Sequence, residues 1–471
     1  MVVRQGEVLK RIGKMAELFD DHSPLQLQAA GTWNGLAFTL VGRLQYKYAE
    51  GTWTEWNALF ADGSSAWLAE DNGAYVLSRP LPAQPALPAA AFFRVGASTA
   101  INGQPFSVAS NQSVVLLAAQ GELPHLPELG QSFAMVELRS QSANTQAEAQ
   151  VLSIDYGRTP PALSQGQSVL LDELKLTGLR ETSAKEETAR QFSCPNCGAS
   201  LSLQLATTQS MTCSACHSII DVSQGIAGEL KHALQDEPVQ PLIALGSTAT
   251  LQGAPWQVVG WQHRMGHAPG DADEQFGWDE YLLFNSQRGF CFLVDSSEGW
   301  SLVKPATGAP VVGSSGQSAT YLGKRYVLKE GYEAQTNYVL GEFYWQVQRG
   351  QRTSNRDYAE GKNLLSMEQS AQELTWSVGS MVASDLVAQA FGLQDKKAML
   401  QRSDAAPLSA AGAFWLRPDF WIFVVIVLIM LSVSTCSGNC NPATQDCSGG
   451  SVGTRTSGGS FGGFSTGGGH K

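Results

Sequence analysis

Four cysteines in the middle of the chain have the spacing of a metal site. Cys194 and Cys197 form one C-x-x-C pair, and Cys213 and Cys216 form a second pair after 15 intervening residues. Each pair can place two thiolates at two corners of a tetrahedron, with Zn–S distances of about 2.3 Å. Two such knuckles joined by a hairpin make a zinc ribbon. The sequence therefore predicts a structural Zn²⁺ site with these four ligands.

Two other interpretations of these cysteines explain the sequence less well. They could be unrelated thiols or redox disulfides, but a catalytic C-x-x-C motif usually occurs once, at the start of a helix. His217 could replace Cys216 as a ligand, although adjacent residues rarely both reach one ion. No lysine or arginine lies between Gln191 and Ile220. The ribbon therefore has no charge for phosphate contacts, and we expect a structural role.

Composition limits the class of protein further. The chain has 471 residues and a formal net charge of −11, with 43% hydrophobic and only 15% charged residues. That length suits two or three domains, and the apolar content is enough to build their cores. The negative charge repels a phosphate backbone, so no nucleic-acid partner is expected.

An uncharged apolar run near the C-terminus predicts a transmembrane helix. Phe420 to Cys436 carries no charged residue, and Trp415 and Trp421 lie at one end like interface anchors. The run is short for a membrane span, so a buried helix or strand of a folded domain is the alternative. A Gly/Ser-rich tail over residues 437–471 follows, and its composition cannot bury a core.

Charges around this run predict its orientation. The start of the chain has no apolar run typical of a signal peptide. The four basic residues nearest before the apolar run are Lys396, Lys397, Arg402 and Arg417, and only two follow it, Arg455 and Lys471. The positive-inside rule then places the bulk of the chain in the cytoplasm. Three cysteines would lie on the far side, where two of them could form a disulfide: Cys436, Cys440 and Cys447.

The chain also contains a long internal repeat. Residues 25–180 and 242–395 align with each other, and the cysteines lie between the two copies. GTWTEWNALF matches FGWDEYLLF, AWLAE matches CFLVD, and LSIDYG and LTWSVG close each copy. The recurring positions include four glycines and a tryptophan in each copy, with a loop of different length next to the tryptophan and one constant offset within each pair of neighbouring glycines: Gly35, Gly42, Trp53, Gly103 and Gly121, then Gly253, Gly260, Trp278, Gly323 and Gly341. We therefore predict a tandem duplication of one fold.

Apolar and polar residues alternate within each copy. Leu44, Tyr46 and Tyr48 alternate with polar neighbours, which is typical of a half-buried strand. The fold class is therefore mainly β, with two barrel-like or sandwich-like domains. The best helix candidate is Ser384 to Phe391, with Ser384 as its N-cap. The predicted segments are an N-terminal stretch 1–24, the copies 25–180 and 242–395, a ribbon 190–222, the transmembrane helix 420–436 and the tail 437–471.

Glutamates that recur with the repeat are candidate catalytic groups. Glu55 matches Glu280, and Glu122 matches Glu342. No paired histidine, nucleophile motif or phosphate-binding loop accompanies them. We therefore expect them to hydrogen-bond turns or strand edges, and the sequence predicts no catalytic or cofactor-binding residues.

These motifs together resemble a bacterial family of domains of unknown function, DUF4178. The resemblance rests on GRLQYKY, TEWNALF, WDEYLLF, GEFYW and TWSVG and on the central CPNCG knuckle, and it covers nearly the entire chain. It implies an uncharacterised membrane-associated protein and supplies no catalytic residues. Similar proteins tend to carry a further knuckle pair before the first copy, whereas residues 1–24 here contain no cysteine.

Two functions follow as alternatives from the sequence. The first is a non-enzymatic interaction platform at the cytoplasmic face of the cell membrane, anchored in the bilayer by residues 420–436 and bound to a membrane-associated protein. The second is a small-ligand-binding protein or enzyme that uses an aromatic-lined cavity in the β domains. A deep cavity with converging polar groups would favour the second, and a flat exposed apolar patch the first.

Overall fold

A computed structural model of the chain describes residues 2–5, 8–11 and most of 23–402. The range 23–402 has gaps at 49–51, 72–73, 83–86, 126–129, 142–143, 146–147, 181–189, 206–207, 224–229, 236–239, 269–270, 286–287, 348–349 and 372. The predicted transmembrane helix 420–436, the tail 437–471 and the three C-terminal cysteines lie outside the described residues. Within the described part, no helix has the length and apolar character needed to cross a bilayer.

The first copy forms a closed antiparallel barrel of eight strands. Its region contains β1 (Val2–Gln5), β2 (Val8–Arg11), β3 (Ala30–Trp33), β4 (Leu36–Lys47), β5 (Thr52–Phe60), β6 (Ser65–Asp71), β7 (Ala74–Pro80), β8 (Ser98–Ile101), β9 (Gln104–Leu123), β10 (Ser132–Ser140), β11 (Val151–Asp155) and β12 (Ala162–Val169). The barrel order is β9-β10-β11-β12-β7-β6-β5-β4, and pairing of β4 with β9 closes it. Closure leaves the barrel without a free sheet edge.

The segment between the copies contains five short strands. They are β13 (Arg190–Ser193), β14 (Ser200–Leu203), β15 (Ser210–Thr212), β16 (Ile219–Asp221) and β17 (His232–Ala233). β13 and β14 form a separate two-stranded sheet, whereas β15, β16 and β17 are joined to the sheet of the second copy.

The second copy repeats the first barrel strand by strand. Its strands are β18 (Thr248–Leu251), β19 (Ala254–Ala268), β20 (Asp271–Asn285), β21 (Gly289–Ser296), β22 (Gly299–Pro305), β23 (Val311–Val312), β24 (Ser318–Tyr321), β25 (Lys324–Phe343), β26 (Arg352–Glu360), β27 (Asn363–Gln369) and β28 (Leu374–Val382). The barrel order is β25-β26-β27-β28-β22-β21-β20-β19, closed by pairing of β19 with β25. The identical order confirms the predicted duplication.

The strand register superposes the two copies residue by residue. Trp53 lies opposite Tyr46 in the first barrel, and Trp278 lies opposite Arg264 in the second. Glu55 and Glu280 each follow two residues later on the same face of their strands. The predicted equivalence of Trp53 with Trp278 is therefore confirmed.

Recurring glycines mark the seam where each barrel closes. Gly42 pairs with Gly121, and Gly260 pairs with Gly341. A Cβ atom on Gly121 would lie 2.3 Å from the carbonyl oxygen of Val41, and one on Gly341 would meet the equivalent oxygen at the same distance. Glycine recurs here because the two strands approach too closely for any side chain.

One part of the sequence alignment was wrong. LSIDYG lies on β11, whereas LTWSVG lies on β28, which corresponds to β12. The true counterpart of β11 is β27. Ser153 on β11 lies opposite Glu137 of β10, and Ser366 on β27 lies opposite Asp357 of β26, so the two serines are equivalent. Neighbouring strands share the same alternation of apolar and polar residues, so this pattern could not separate them.

A short helix packs on the outside of the second barrel. The described helices are α1 (Ser384–Ala390) and α2 (Lys397–Leu400), with single 3₁₀ turns at Ala90–Phe92, Leu171–Leu174 and Gln394–Lys396. Val387 and Ala388 are buried in a cluster with Tyr281 and Trp300. The predicted helix is confirmed, but Ser384 is its first residue; the N-cap is Ala383, and no side chain caps it.

Candidate metal centre and barrel cavity

Two matching turns hold the four cysteines. The N–H of Gly198 donates to the carbonyl oxygen of Cys194 at 2.9 Å, and the N–H of His217 donates to that of Cys213 at 2.9 Å. Gly198 and His217 adopt φ angles of 76° and 57°. Both knuckles thus use one left-handed residue directly after their second cysteine, which turns the chain back into the next strand.

The two turns bring the four sulfur atoms together. All four lie within 4.8 Å of one another. The Sγ atoms of Cys194 and Cys216 are 3.7 Å apart, as are those of Cys197 and Cys213. A tetrahedron with metal–sulfur bonds of about 2.3 Å has edges of roughly 3.8 Å. The predicted ligands therefore form a cluster that could hold one metal ion.

Polar neighbours favour the ionised form of one thiol. The Ser218 hydroxyl lies 3.2 Å from the sulfur of Cys216, and the amide of Asn196 donates to the same sulfur at 3.4 Å. These contacts lower the pKa of Cys216 to about 5, with Ser218 as the largest cause. Burial raises the pKa of Cys213. Hydrogen bonds to the sulfur are typical outer contacts of a thiolate ligand.

His217 does not face the sulfur cluster. Its Nδ1 lies 2.9 Å from the hydroxyl of Tyr338, on β25 of the second barrel. Its carbonyl oxygen accepts a hydrogen bond of 2.6 Å from the side-chain amide of Gln235. His217 therefore attaches the second knuckle to the barrel, and Cys216 is the fourth member of the cluster.

One of the repeated glutamates anchors the ribbon. The Glu342 carboxylate accepts hydrogen bonds from the backbone N–H groups of Gln204, at 2.8 Å, and Leu205, at 3.0 Å. It also accepts one of 2.6 Å from the Thr208 hydroxyl. These three donors belong to the segment between the two knuckles, so the expected turn-binding role of Glu342 is confirmed.

An added strand joins each barrel at this glutamate position. In the second copy Met211 of β15 pairs antiparallel with Glu342, and in the first copy Val2 of β1 pairs parallel with Glu122. The long strands β9 and β25 therefore extend past the barrel seam far enough to accept a further strand.

The interior of the second barrel contains a buried ion cluster. The two Nη atoms of Arg264 donate to the carboxylate of Glu368 at 3.2 and 3.0 Å, and Nη1 lies 3.5 Å from Glu280 Oε1. Since β19 and β27 are not neighbours in the barrel, these bonds cross its interior. The guanidinium also lies 5.5 Å from the ring of Trp278 and donates to Thr353 at 2.9 Å.

Glu280 is held inside this cluster and not at a strand edge. Its side chain is 1% exposed and accepts hydrogen bonds from the indole N–H of Trp278, at 2.6 Å, and from Gln262. Burial raises the pKa of Glu280 to about 7, although Arg264 acts in the opposite direction. The expectation that Glu280 binds a turn or strand edge is therefore wrong. The same expectation is wrong for Glu55, which is also buried and accepts a hydrogen bond of 3.3 Å from the indole N–H of Trp53.

The same region of the first barrel is a cavity. It has a volume of about 460 Å³. Its lining includes Tyr46, Glu55, Trp67, Ser153 and Asp155. The loop that connects β11 to β12 also lines it, with Arg158 among its residues. Carboxylates, hydroxyls and aromatic rings thus line one cavity of the first barrel.

Sequence reasoning missed Arg264, Glu368 and Asp155. Glu368 lies opposite Asn355 and Asp155 lies opposite Met135, which are equivalent positions of the two barrels. The misaligned β11 concealed this pair. A correct alignment of LSID with LSME would have shown an acidic residue at the same place in both copies.

Fold and site together define a duplicated β-barrel protein with a four-cysteine cluster between its barrels. The chain belongs to the family described as Domain of unknown function (DUF4178), whose model matches residues 26–170 and 244–384. These matched ranges coincide with the two barrels. No curated protein and no solved structure is significantly similar to the chain.

Proposed function

We propose that the first barrel binds a small organic molecule, and that the second barrel and the ribbon form a structural domain beside it. The cavity in the first barrel carries this proposal. Its volume of about 460 Å³ lies within the range of about 300–1,000 Å³ usual for small-molecule sites. Of the two functions expected from the sequence, a cavity lined by converging polar and aromatic groups supports ligand binding.

A substitution that fills the cavity tests this function. Ser153 is buried on the cavity wall, so we expect S153F to abolish binding while the barrel stays folded, at a stability cost of about 1–3 kcal/mol for overpacking. A diverse small-molecule library is screened by thermal shift against the full-length protein, and hits are measured by titration calorimetry.

The matched control for this experiment is S113F. Ser113 is exposed on β9 and does not line the cavity. The compounds that bind the wild type should bind S113F with the same affinity. The proposed function is wrong if the wild type binds no compound of the library, or if the hits bind S153F with unchanged affinity.

The ion of the four-cysteine cluster is proposed to be Zn²⁺. Four thiolates with tetrahedral spacing are the usual donor set of structural zinc sites. The four cysteine sulfurs would occupy all four corners of a tetrahedron around the ion, which leaves no coordination position for a substrate. Its role is therefore to fold the ribbon.

The apolar run 420–436 is proposed to anchor the protein in the membrane. Its lack of charge and the basic residues before it support an orientation with both barrels at the cytoplasmic face, where they meet a membrane-associated protein partner.

Placing an arginine in the run is expected to release the protein from the membrane. I426R puts a charge at the centre of the span, which costs about 3 kcal/mol on the insertion scale. Fractionation of cells should therefore move the protein markedly toward the soluble fraction. S457R, in the Gly/Ser-rich tail, is the matched control and should leave the distribution unchanged. Wild-type protein that is already soluble would contradict the anchor.

A further inference from the structure

We infer that the cavity of the first barrel binds a neutral aromatic ring with polar substituents, seated where the second barrel has aromatic side chains of its own. The inference rests on the proposed function of the first barrel and specifies the chemical class of its ligand. Internal comparison of the two copies carries it, because aromatic side chains fill in one copy the place that is a cavity in the other.

Strand register shows which residues correspond at this end of the two barrels. Ser65 lies opposite Leu59, which follows Glu55 by four residues. Phe290 lies opposite Phe284, which follows Glu280 by four residues, so position 65 corresponds to position 290. The paired glycines of the barrel seam fix the residues that follow the long strands β9 and β25. Four residues of the cavity lining thereby obtain a counterpart: Ser65 with Phe290, Ser78 with Val303, Pro124 with Tyr344 and His125 with Trp345.

Aromatic rings fill this end of the second barrel. The ring centroid of Tyr344 lies 4.5 Å from that of Phe290 and 4.8 Å from that of Trp345. Phe292 adds a fourth ring, 6.0 Å from Trp345. Val303, Tyr344 and Trp345 are buried in this group. Ring pairs at such distances attract each other beyond the effect of the area that they bury.

The first barrel keeps one aromatic pair at the same place and has smaller side chains around it. Trp67 corresponds to Phe292, and its ring lies 6.0 Å from that of His125, which matches the distance between Phe292 and Trp345. Serines replace the phenylalanine and the valine of the second barrel, and a proline replaces its tyrosine. All five of these residues of the first barrel line the cavity. The cavity therefore lies where the second barrel holds aromatic rings, and a ligand ring can pack there against Trp67 and His125.

Two hydroxyl groups favour a ring with polar substituents. Ser65 and Ser78 line the cavity at positions where the second barrel has side chains without a polar atom. The Ser78 hydroxyl donates a long hydrogen bond of 3.4 Å to the carbonyl oxygen of Trp67, and its oxygen can still accept one. A pure hydrocarbon would cover these hydroxyls without offering them a hydrogen bond, which is unfavourable. A ring that carries hydroxyl or amino groups therefore fits better.

The charges of the cavity favour a neutral ligand. The carboxylates of Glu55 and Asp155 line it together with the guanidinium of Arg158, so both signs of charge are present. The indole N–H of Trp53 donates to Glu55, and the backbone N–H of Gly157 donates to Asp155 at 2.8 Å. Both carboxylates thus accept hydrogen bonds from the protein itself, and the ligand need not supply a charge.

Calorimetry with an aromatic probe and its saturated analogue tests the inference. The full-length protein in detergent is titrated with 4-hydroxybenzyl alcohol and with trans-4-(hydroxymethyl)cyclohexanol, which carries the same two hydroxyl groups on a saturated ring. We expect the aromatic probe to bind at least about fivefold more tightly, because only its ring makes aromatic contacts with Trp67 and His125.

Variants that copy the second barrel assign the binding to the cavity. S65F and P124Y introduce the rings of Phe290 and Tyr344, and each should abolish binding of 4-hydroxybenzyl alcohol while circular dichroism shows a folded protein. The matched control is again S113F, which places the same ring at an exposed position outside the cavity and should bind the probe with wild-type affinity.

A double variant tests the polar substituents. S65A/S78A removes both hydroxyls and leaves the space open, so 4-hydroxybenzyl alcohol should bind about tenfold more weakly through the loss of two hydrogen bonds. Unchanged affinity in this variant would contradict the polar part of the inference.

The outcomes separate this inference from the proposed function. Equal affinity for both probes, no binding of 4-hydroxybenzyl alcohol by the wild type, or unchanged affinity in the folded S65F or P124Y variant would overturn the aromatic class. The small-molecule function would still stand if other compounds of the library bound the wild type and were lost in S153F. Absence of any such compound would overturn the function itself.

Discussion

Replacing Cys194 with serine is expected to remove the metal from the ribbon and to unfold the β13–β14 hairpin. Zinc binding to a four-thiolate site is worth on the order of 10 kcal/mol, and a ribbon of this size has little other stabilisation. One oxygen in place of a sulfur leaves a weaker, incomplete donor set. We expect the zinc content, measured by atomic emission, to fall from one ion per chain to nearly none.

The unfolding should be confined to the first knuckle. β13 and β14 form a sheet of their own, whereas the second knuckle continues the sheet of the second barrel through β15 and β25. The N–H of Gly341 also donates to the Thr212 hydroxyl at 2.7 Å. In C194S, hydrogen exchange should therefore become fast over residues 190–203 and stay slow over 210–212 and in both barrels.

C291S is the matched control for C194S. Cys291 is buried on β21 in the second barrel, outside the sulfur cluster, so this variant should retain the zinc. Stoichiometric zinc in C194S, or slow exchange of residues 190–203 without metal, would contradict the structural role of the site.

The four-cysteine cluster could be predicted from the sequence because its geometry is local. Two residues separate the cysteines of each knuckle, and a tight turn fixes both sulfurs whatever the surrounding fold. The strands and their duplication could also be predicted, because apolar and polar residues alternate along the strands and the same glycines recur in both copies. The seam at Gly42 and Gly121 shows why: its close backbone contact tolerates no other residue.

The interiors of the barrels could not be predicted in the same way. Glu55 and Glu280 were expected at turns or strand edges because no catalytic motif accompanies them in the sequence, and a lone buried carboxylate inside a barrel has no local signature. Arg264 and Glu368 are far apart in the sequence and meet only because the barrel closes. Tyr46 also stands opposite Trp53 where Arg264 stands opposite Trp278, and no local pattern reveals this difference between the two interiors.

Replacing Arg264 with methionine is expected to destabilise the second barrel by about 3–5 kcal/mol at pH 8. Methionine keeps the volume of the side chain but leaves Glu280 and Glu368, both almost fully buried, without their shared cation. An unpaired buried charge accounts for a penalty of this size. Urea denaturation of the full-length protein gives the free energy of unfolding. R356M, at an exposed position of β26, should change it by less than about 0.5 kcal/mol.

The penalty should depend on pH, with a definite sign. The folded-state pKa of Glu280, at about 7, lies above its ordinary value of 4.5, so the folded protein binds the proton more tightly than the unfolded chain. Its contribution to stability is therefore full below about pH 4.5 and is lost as the pH rises through 7. Removing Arg264 raises this pKa further, because the opposing cation is gone.

R264M should consequently lose much less stability at pH 5 than at pH 8, and R264M/E280Q/E368Q should show little pH dependence over that range. An equal loss at both pH values would show that the guanidinium stabilises the barrel by packing and not by neutralising the two carboxylates.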